Sequence, residues 1–325
     1  MDSKLTKRRL SDFLAYEWIL MIVVAVVAII ALEFVYNAAA TRLTVGQLFK
    51  YYMDEEIYKF DDTNDKVYEL LGVDAGTNGK TFSYDVMKVS FENLSSSQNI
   101  LSVRLSIQEG DAIFTSSAEK ESKTERVRVK QIVDEQSVYY LEDLLARAEE
   151  YLKTFTVNGD IYNENDYDEA KIRAHFDERT KGDKRYRSES NREEGMQNEI
   201  GRVKKLAKEV KDFKTLLSIG EEKGLFYRYT KYAQSCADYP NNENLKRFYD
   251  KEISEGRENR IYGINMGALT GGHKNVSEYL KISGTDSAEN VVLTLFDFGE
   301  YQFDLQFECI SFVNTLVREF SDFLG

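Results

Sequence analysis

Apolar and polar positions recur with different periods along this 325-residue chain, and the changes of period divide it. Trp18 to Ala40 (WILMIVVAVVAIIALEFVYNAAA) carries one charge, Glu33, in 23 positions. As a helix rising ~1.5 Å per residue it reaches roughly 34 Å, against a hydrocarbon core of about 30 Å. The run predicts a transmembrane helix over 18–40. Lys4, Lys7, Arg8 and Arg9 precede it, which places residues 1–17 in the cytoplasm and all that follows outside the cell membrane. Arg8, Arg9 and Trp18 mark one membrane interface, and Tyr36, beside Glu33, marks the other. A cleaved signal peptide is the rival reading, because the uninterrupted core Trp18 to Leu32 is short and Ala38, Ala39 and Ala40 suit a signal peptidase. No cysteine lies in or just after the run, so a lipidated cysteine is excluded as the anchor.

Beyond this segment the pattern predicts an α/β domain. Thr44 to Met53 reads as a continuing helix, and acid-rich Asp54 to Lys80, with Gly72, Gly76 and Gly79, reads as a stalk, so 41–80 is assigned as juxtamembrane helix and stalk. The extracellular domain is assigned to 81–325. Val86 to Phe91 is a predicted strand, Ser97 to Gln108 a helix and Asp111 to Phe114 a strand, a β-α-β order that generates a parallel pair. Arg126 to Lys130 (RVRVK) alternates with period two and reads as an edge strand. Leu141, Leu144, Leu145, Ala148, Leu152 and Phe155 form one helical stripe, and Val203, Leu206, Val210, Phe213 and Leu217 another. The polar stretch between them, Glu178 to Glu194, reads as an exposed connection. Arg260 to Met266 is a predicted strand, Val276 to Ile282 a short helix, Val291 to Phe296 (VVLTLF) a strand buried on both faces, and Phe303 to Leu324 a long helix.

Composition narrows the function classes. With 43 Lys and Arg against 56 Asp and Glu, the chain carries a formal charge of −13, which opposes binding to nucleic acid. Lys204, Lys205, Lys208, Lys211 and Lys214 read as the solvated face of a helix. With 42% hydrophobic residues, including 21 Tyr and 19 Phe, the chain can bury a large core. The two cysteines fit apolar helical stripes, Cys236 with Phe226, Tyr229 and Ala233, and Cys309 with Val313, Leu316 and Phe320. They read as two buried free thiols rather than a disulfide. Only His175 and His273 are available as imidazoles, so no His-rich metal centre is expected.

Catalytic patterns are missing. The chain contains no P-loop, GxSxG elbow, HExxH or CxxC, so the reading is non-enzymatic, with no cofactor and no metal. Gly271-Gly272 beside His273 reads as a turn, and Asp160 to Glu169 as a solvated acidic loop without the ligand order of an EF-hand. The passage KVSFENLSSSQNILSVRLSIQEGDAIFTSS, residues 88–117, followed by YYLEDLLARAEEYL, residues 139–152, resembles the first lobe of bacterial extracellular solute-binding proteins that serve ABC importers. The resemblance implies a bilobed periplasmic-binding-protein-like fold, here with a helix-rich middle. It also implies capture of a small solute for a transporter permease, or sensing of it. The anchor departs from that family's usual lipid anchoring or secretion, and the only Trp, Trp18, lies in the predicted membrane segment, which demotes a sugar ligand. The alternative is an interaction or structural domain of a cell-envelope complex that has lost ligand binding. If a solute binds, the expected contacts are Asn93, Ser95 and Ser96 after the first strand, and Thr115 and Ser116 after the second, because open α/β sheets bind beyond the carboxyl ends of their strands. These residue types are equally the ordinary choice for turns and helix caps. Asn93-Leu94-Ser95 is also a glycosylation sequon, of consequence only in a eukaryotic secretory pathway.

Overall fold

The computed structural model describes residues 26–29, 32, 48–59, 88–94, 98–107, 109–120, 126–183, 186–297 and 307–324. The chain divides into two compact units, 1–45 and 46–325. In the first, residues 26–29 and 32 are helical, and Val26, Val27, Ile29 and Leu32 expose 47%, 59%, 59% and 68% of their surface. Most of the predicted membrane segment 18–40, with Arg8, Arg9, Trp18 and Tyr36, lies outside the described residues. Among the described residues no helix is long and apolar enough to cross a membrane.

The second unit is α/β. Its strands are β1 (Leu48–Met53), β2 (Ile57–Lys59), β3 (Lys88–Asn93), β4 (Ala112–Ser116), β5 (Phe226–Tyr229), β6 (Arg260–Asn265), β7 (Leu280–Ile282) and β8 (Val291–Leu295). Its helices are α1 (Gln98–Ser106), α2 (Arg128–Glu135), α3 (Leu141–Lys153), α4 (Glu169–Arg179), α5 (Glu189–Ile219), α6 (Ala233–Asp238), α7 (Glu243–Ser254) and α8 (Glu308–Phe320). Six strands form one mixed sheet in the order β3-β1-β4-β8-β6-β5, and β2 pairs with β7 in a separate two-stranded ribbon.

β8 lies in the middle of the sheet, antiparallel to both β4 and β6, as its unbroken apolar run requires. Every one of its residues is buried, Thr294 included. One sheet face bears Phe49, Tyr51, Phe114, Leu293 and Leu295 and is covered by the apolar stripes of α3, α5 and α8. The opposite face bears Tyr52, Ile113, Val292 and Phe296 and is covered by Leu101 of α1 and by Val129, Ile132 and Val133 of α2.

Several expectations are corrected. Residues 48–53, read as part of a helix, are the strand β1; all those whose side chains are described are buried, so the segment shows no period-two signature. Asp54 to Lys59 belongs to the folded unit rather than to a stalk, since β2 pairs with β7; residues 60–80 lie outside the described residues. The β-α-β passage does form a parallel arrangement, but β3 and β4 do not pair with each other. β1 lies between them, parallel to both. Arg126 to Lys130 is not an edge strand. Its alternation is the start of helix α2, whose buried Val129, Ile132 and Val133 follow the i, i+3, i+4 spacing. Phe226 and Tyr229 lie on β5, separate from Cys236 on α6, so that stripe is not one helix. Residues 276–282 are a single 3-10 turn followed by β7. Cys236 and Cys309 are free thiols, the first half-buried and the second buried.

Candidate functional site

In a sheet whose strand order reverses beside its first strand, ligands gather beyond the carboxyl ends of the parallel strands. Here that place is the end of β1, β3 and β4. The backbone of β1 runs from Met53 into Asp54, whose N–H donates to the Phe114 carbonyl at 3.0 Å, so the side chain of Asp54 emerges at the sheet's end. Facing it is Arg128, the first residue of α2. Its Nε lies 2.9 Å from Oδ2 and 3.1 Å from Oδ1 of Asp54, and its Nη2 lies 3.0 Å from Oδ1. The fourth contact, Nη1 to Oε1 of Gln131, is 3.0 Å. Burial works against the Arg128 charge, but the hydrogen-bonded carboxylate of Asp54 overrides it and raises the guanidinium's proton affinity. Both partners are buried, and their planar fork is the geometry in which Arg holds a carboxylate most firmly.

The neighbouring groups are also engaged within the chain. Lys120 is ion-paired with Glu56. Ser117 donates through both its backbone N–H and its hydroxyl to the Asn290 carbonyl, at 2.8 and 3.2 Å. Ser116 Oγ accepts the Ala118 N–H at 3.1 Å. Of the expected solute contacts, Thr115 and Ser116 lie at this end but are fully buried within β4, and Asn93, the last residue of β3, is exposed. Ser95 and Ser96 lie outside the described residues. Thr115 Oγ1 is buried without a hydrogen-bond partner among the described residues. Asp54 and Arg128 escaped the sequence reading. Their trace was an acid directly after an apolar run and an Arg flanked by Val127 and Val129, two places where a charge is costly unless paired.

A second charged cluster decorates β1 on its α1 face. Lys50 Nζ lies 2.6 Å from both Glu92 and Glu109, and Arg104 bridges the same two carboxylates at 3.2 and 2.9 Å. The Lys50 hydrogen bond is the chief reason that both acids stay below the usual carboxylate range. Gly110 closes the adjoining turn at φ 104°, and a Cβ there would stand 2.1 Å from the Tyr52 ring. The next residue, Asp111, accepts the Lys50 backbone N–H at 2.8 Å, and burial pushes its carboxyl up to about 7.

Among the described residues, Ser235 donating to Asp134 is the arrangement that most resembles a nucleophile and base. Asp134, however, also accepts from Tyr232 N–H at 2.6 Å, Tyr229 Oη at 3.3 Å and Arg126 at 3.2 Å. With four donors on it, the carboxylate pins α2 to the β5–α6 corner. Tyr232 is held there at φ 67°, a conformation costly for a bulky residue.

The fold and this end of the sheet define a mixed α/β domain with an internally paired strand edge. No protein-family model matches the chain, and neither a curated protein nor a solved structure matches it.

Proposed function

We propose that the chain is a membrane-tethered cell-envelope protein whose 46–325 unit is a non-enzymatic interaction domain, built on a solute-binding-like scaffold whose binding edge its own side chains fill. The Asp54–Arg128 pair carries this reading: the Arg128 guanidinium, which at the carboxyl end of β1 and β4 could seize an anionic solute, already holds a carboxylate of its own chain. The tether is supported by the apolar run 18–40 and by the outward exposure of Val26, Val27, Ile29 and Leu32. In this reading the helical middle, residues 141–219, packs through α3 and α5 on the sheet and takes the place of a second lobe in the chain order.

Thr115 favours a second reading, capture or sensing of a small solute together with a transporter permease. A buried hydroxyl without a partner costs about 1–3 kcal/mol, and a ligand reaching it would relieve that cost. Thermal-shift screening of the full chain against amino acids, peptides, sugars and metals separates the two, because a ligand of the folded state raises the melting temperature by mass action. The interaction-domain reading expects no shift. A reproducible rise with one solute, abolished by Thr115→Val, would establish the solute-binding reading instead.

A further inference from the structure

Basic residues outnumber acids in a few stretches of the chain, and one of them links α4 to α5. Between Arg179 and Arg192 the sequence carries six Lys and Arg against Asp183 and Glu189. This stretch joins α4 to α5, which form an antiparallel hairpin: Lys204 pairs with Glu169, Arg173 with Glu193, and Arg192 with Asp177. Gly195 permits the close approach, since a Cβ there would stand 2.6 Å from the rings of both Phe176 and Tyr186. Those rings meet edge to face at 5.0 Å and brace the tip. α5 has 31 residues, roughly 46 Å at ~1.5 Å each; Ile200 to Leu216 of it pack into the core under the sheet, and its first turns pair with α4 instead.

At the tip is a surface cavity of about 340 Å³, walled by Tyr186 and Thr180 and rimmed by Lys181, Arg187 and Arg192 together with the carboxylates of Asp177 and Asp183. Arg192 is held by Asp177, at 2.7 and 2.9 Å. Lys181 and Arg187 are exposed and have no ion-pair partner among the described residues. With Arg192 neutralised by Asp177, Lys181 and Arg187 outnumber the remaining rim acid, Asp183, beside a cavity large enough for a phosphate-bearing group. The net negative charge opposes approach to an anionic bilayer, and a locally basic tip offsets that repulsion where it approaches.

We propose that the α4–α5 tip docks on the headgroups of anionic phospholipids, with Lys181 and Arg187 contacting lipid phosphate. The juxtaposition that carries it is a cavity rimmed by two unpaired cations at the end of a braced hairpin. The membrane commits the choice of partner because the predicted tether would hold the domain beside one; to that extent the proposal rests on the tether reading. Each basic residue at an anionic surface strengthens attachment about fivefold at low salt.

The test is amide hydrogen exchange of residues 181–190 in the full chain, mixed with zwitterionic bicelles or with bicelles containing one third phosphatidylglycerol. This needs no insertion of residues 18–40, which alkaline extraction of membranes examines separately. The expected result is exchange slowed about fivefold or more by the anionic bicelles at 50 mM salt, restored at 500 mM salt and restored by the double substitution Lys181→Glu, Arg187→Glu. Unchanged exchange in β4 and β8 verifies folding of that variant, and Lys181→Ala with Arg187→Ala gives a milder second variant. Equal exchange in both bicelles, or slowing that survives the substitutions, would overturn the proposal. Equal slowing by 10 mM inorganic phosphate in zwitterionic bicelles would also overturn it, by making the cavity a site for soluble phosphate.

Discussion

Charge is handled in opposite ways at the sheet's carboxyl end and at the hairpin tip. Arg128 is buried and is committed through three of its contacts to Asp54 and through the fourth to Gln131. Lys181 and Arg187 stand in solvent over an open cavity. A charge taken out of water must be neutralised within the fold, and once it has been, it is unavailable to a ligand. A charge left in water costs the fold nothing and stays available for long-range attraction. The position with the better buried donors is therefore the structural one, and the more exposed position is suited to recognition.

The strongest challenge to the interior half of this contrast is a charge introduced there with no partner. Leu293 is 1% exposed and pairs with Phe114 on one side and Ile264 on the other. Leu293→Asp should cost more than about 4 kcal/mol, enough to unfold a domain of ordinary stability. A soluble variant with a cooperative melt near the native one would refute the central placement of β8.

Arg202 asks whether native interior charges obey the same rule. It is buried, with Nη2 2.6 Å from Glu199 and 2.7 Å from the Tyr151 hydroxyl, and Nη1 3.9 Å from Glu308. Burial alone would raise the Glu199 carboxyl, but Arg202, aided by Arg179, brings it below the usual range. Arg202→Met leaves two buried acids with one fewer cation and should cost about 3 kcal/mol in denaturant unfolding. A loss below about 1 kcal/mol would show that these charges are solvated.

Asp111 is an interior acid given a backbone donor rather than a cation, and its stability effect should therefore depend on pH. Its folded proton affinity, near pH 7, exceeds the unfolded value of about 3.9, so the folded state binds more protons between them. The stability from this group is full below about pH 4 and is lost as pH rises through 7. Asp111→Asn keeps an acceptor for the Lys50 N–H and carries no charge. Relative to it, the native chain should lose roughly 2 kcal/mol between pH 4 and 8, a figure held down because Asp111 retains some solvent contact. A difference independent of pH would mean that the carboxyl is not desolvated.

Thr115 carries the smallest effect. Thr115→Val removes an unpartnered buried hydroxyl and should leave stability unchanged or raise it by up to about 1 kcal/mol. A loss of more than that would reveal a hydrogen bond to Oγ1 made outside the described residues.

Much of the architecture was legible in the sequence because long periodic stripes admit few readings. The stripes of α3 and α5 and the continuous run of β8 appear where expected. What escaped was short or buried on both sides. LFKYYM of β1 has no alternation to betray a strand, because neighbours cover both of its faces, and it follows an apolar segment that invites helical continuation. RVRVK misled in the opposite sense: five residues fit period two, and only the extension through Ile132 and Val133 exposes the helical spacing. The strand-end rule put Thr115 and Ser116 at the carboxyl end of β4, where they lie. Their burial could not be read, because it depends on β8, nearly 180 residues away. The Asp54–Arg128 pair was invisible for the same reason, being a contact across 74 residues.

A double-mutant cycle on that pair, followed by urea unfolding of the full chain, tests the closed-edge account most directly. Arg128→Leu alone should strand the Asp54 carboxylate and cost about 3–5 kcal/mol, whereas Arg128→Leu with Asp54→Leu should recover to within about 1 kcal/mol of the native chain. If Arg128→Leu leaves stability unchanged, the pair does not close the edge and Arg128 is free to hold a ligand.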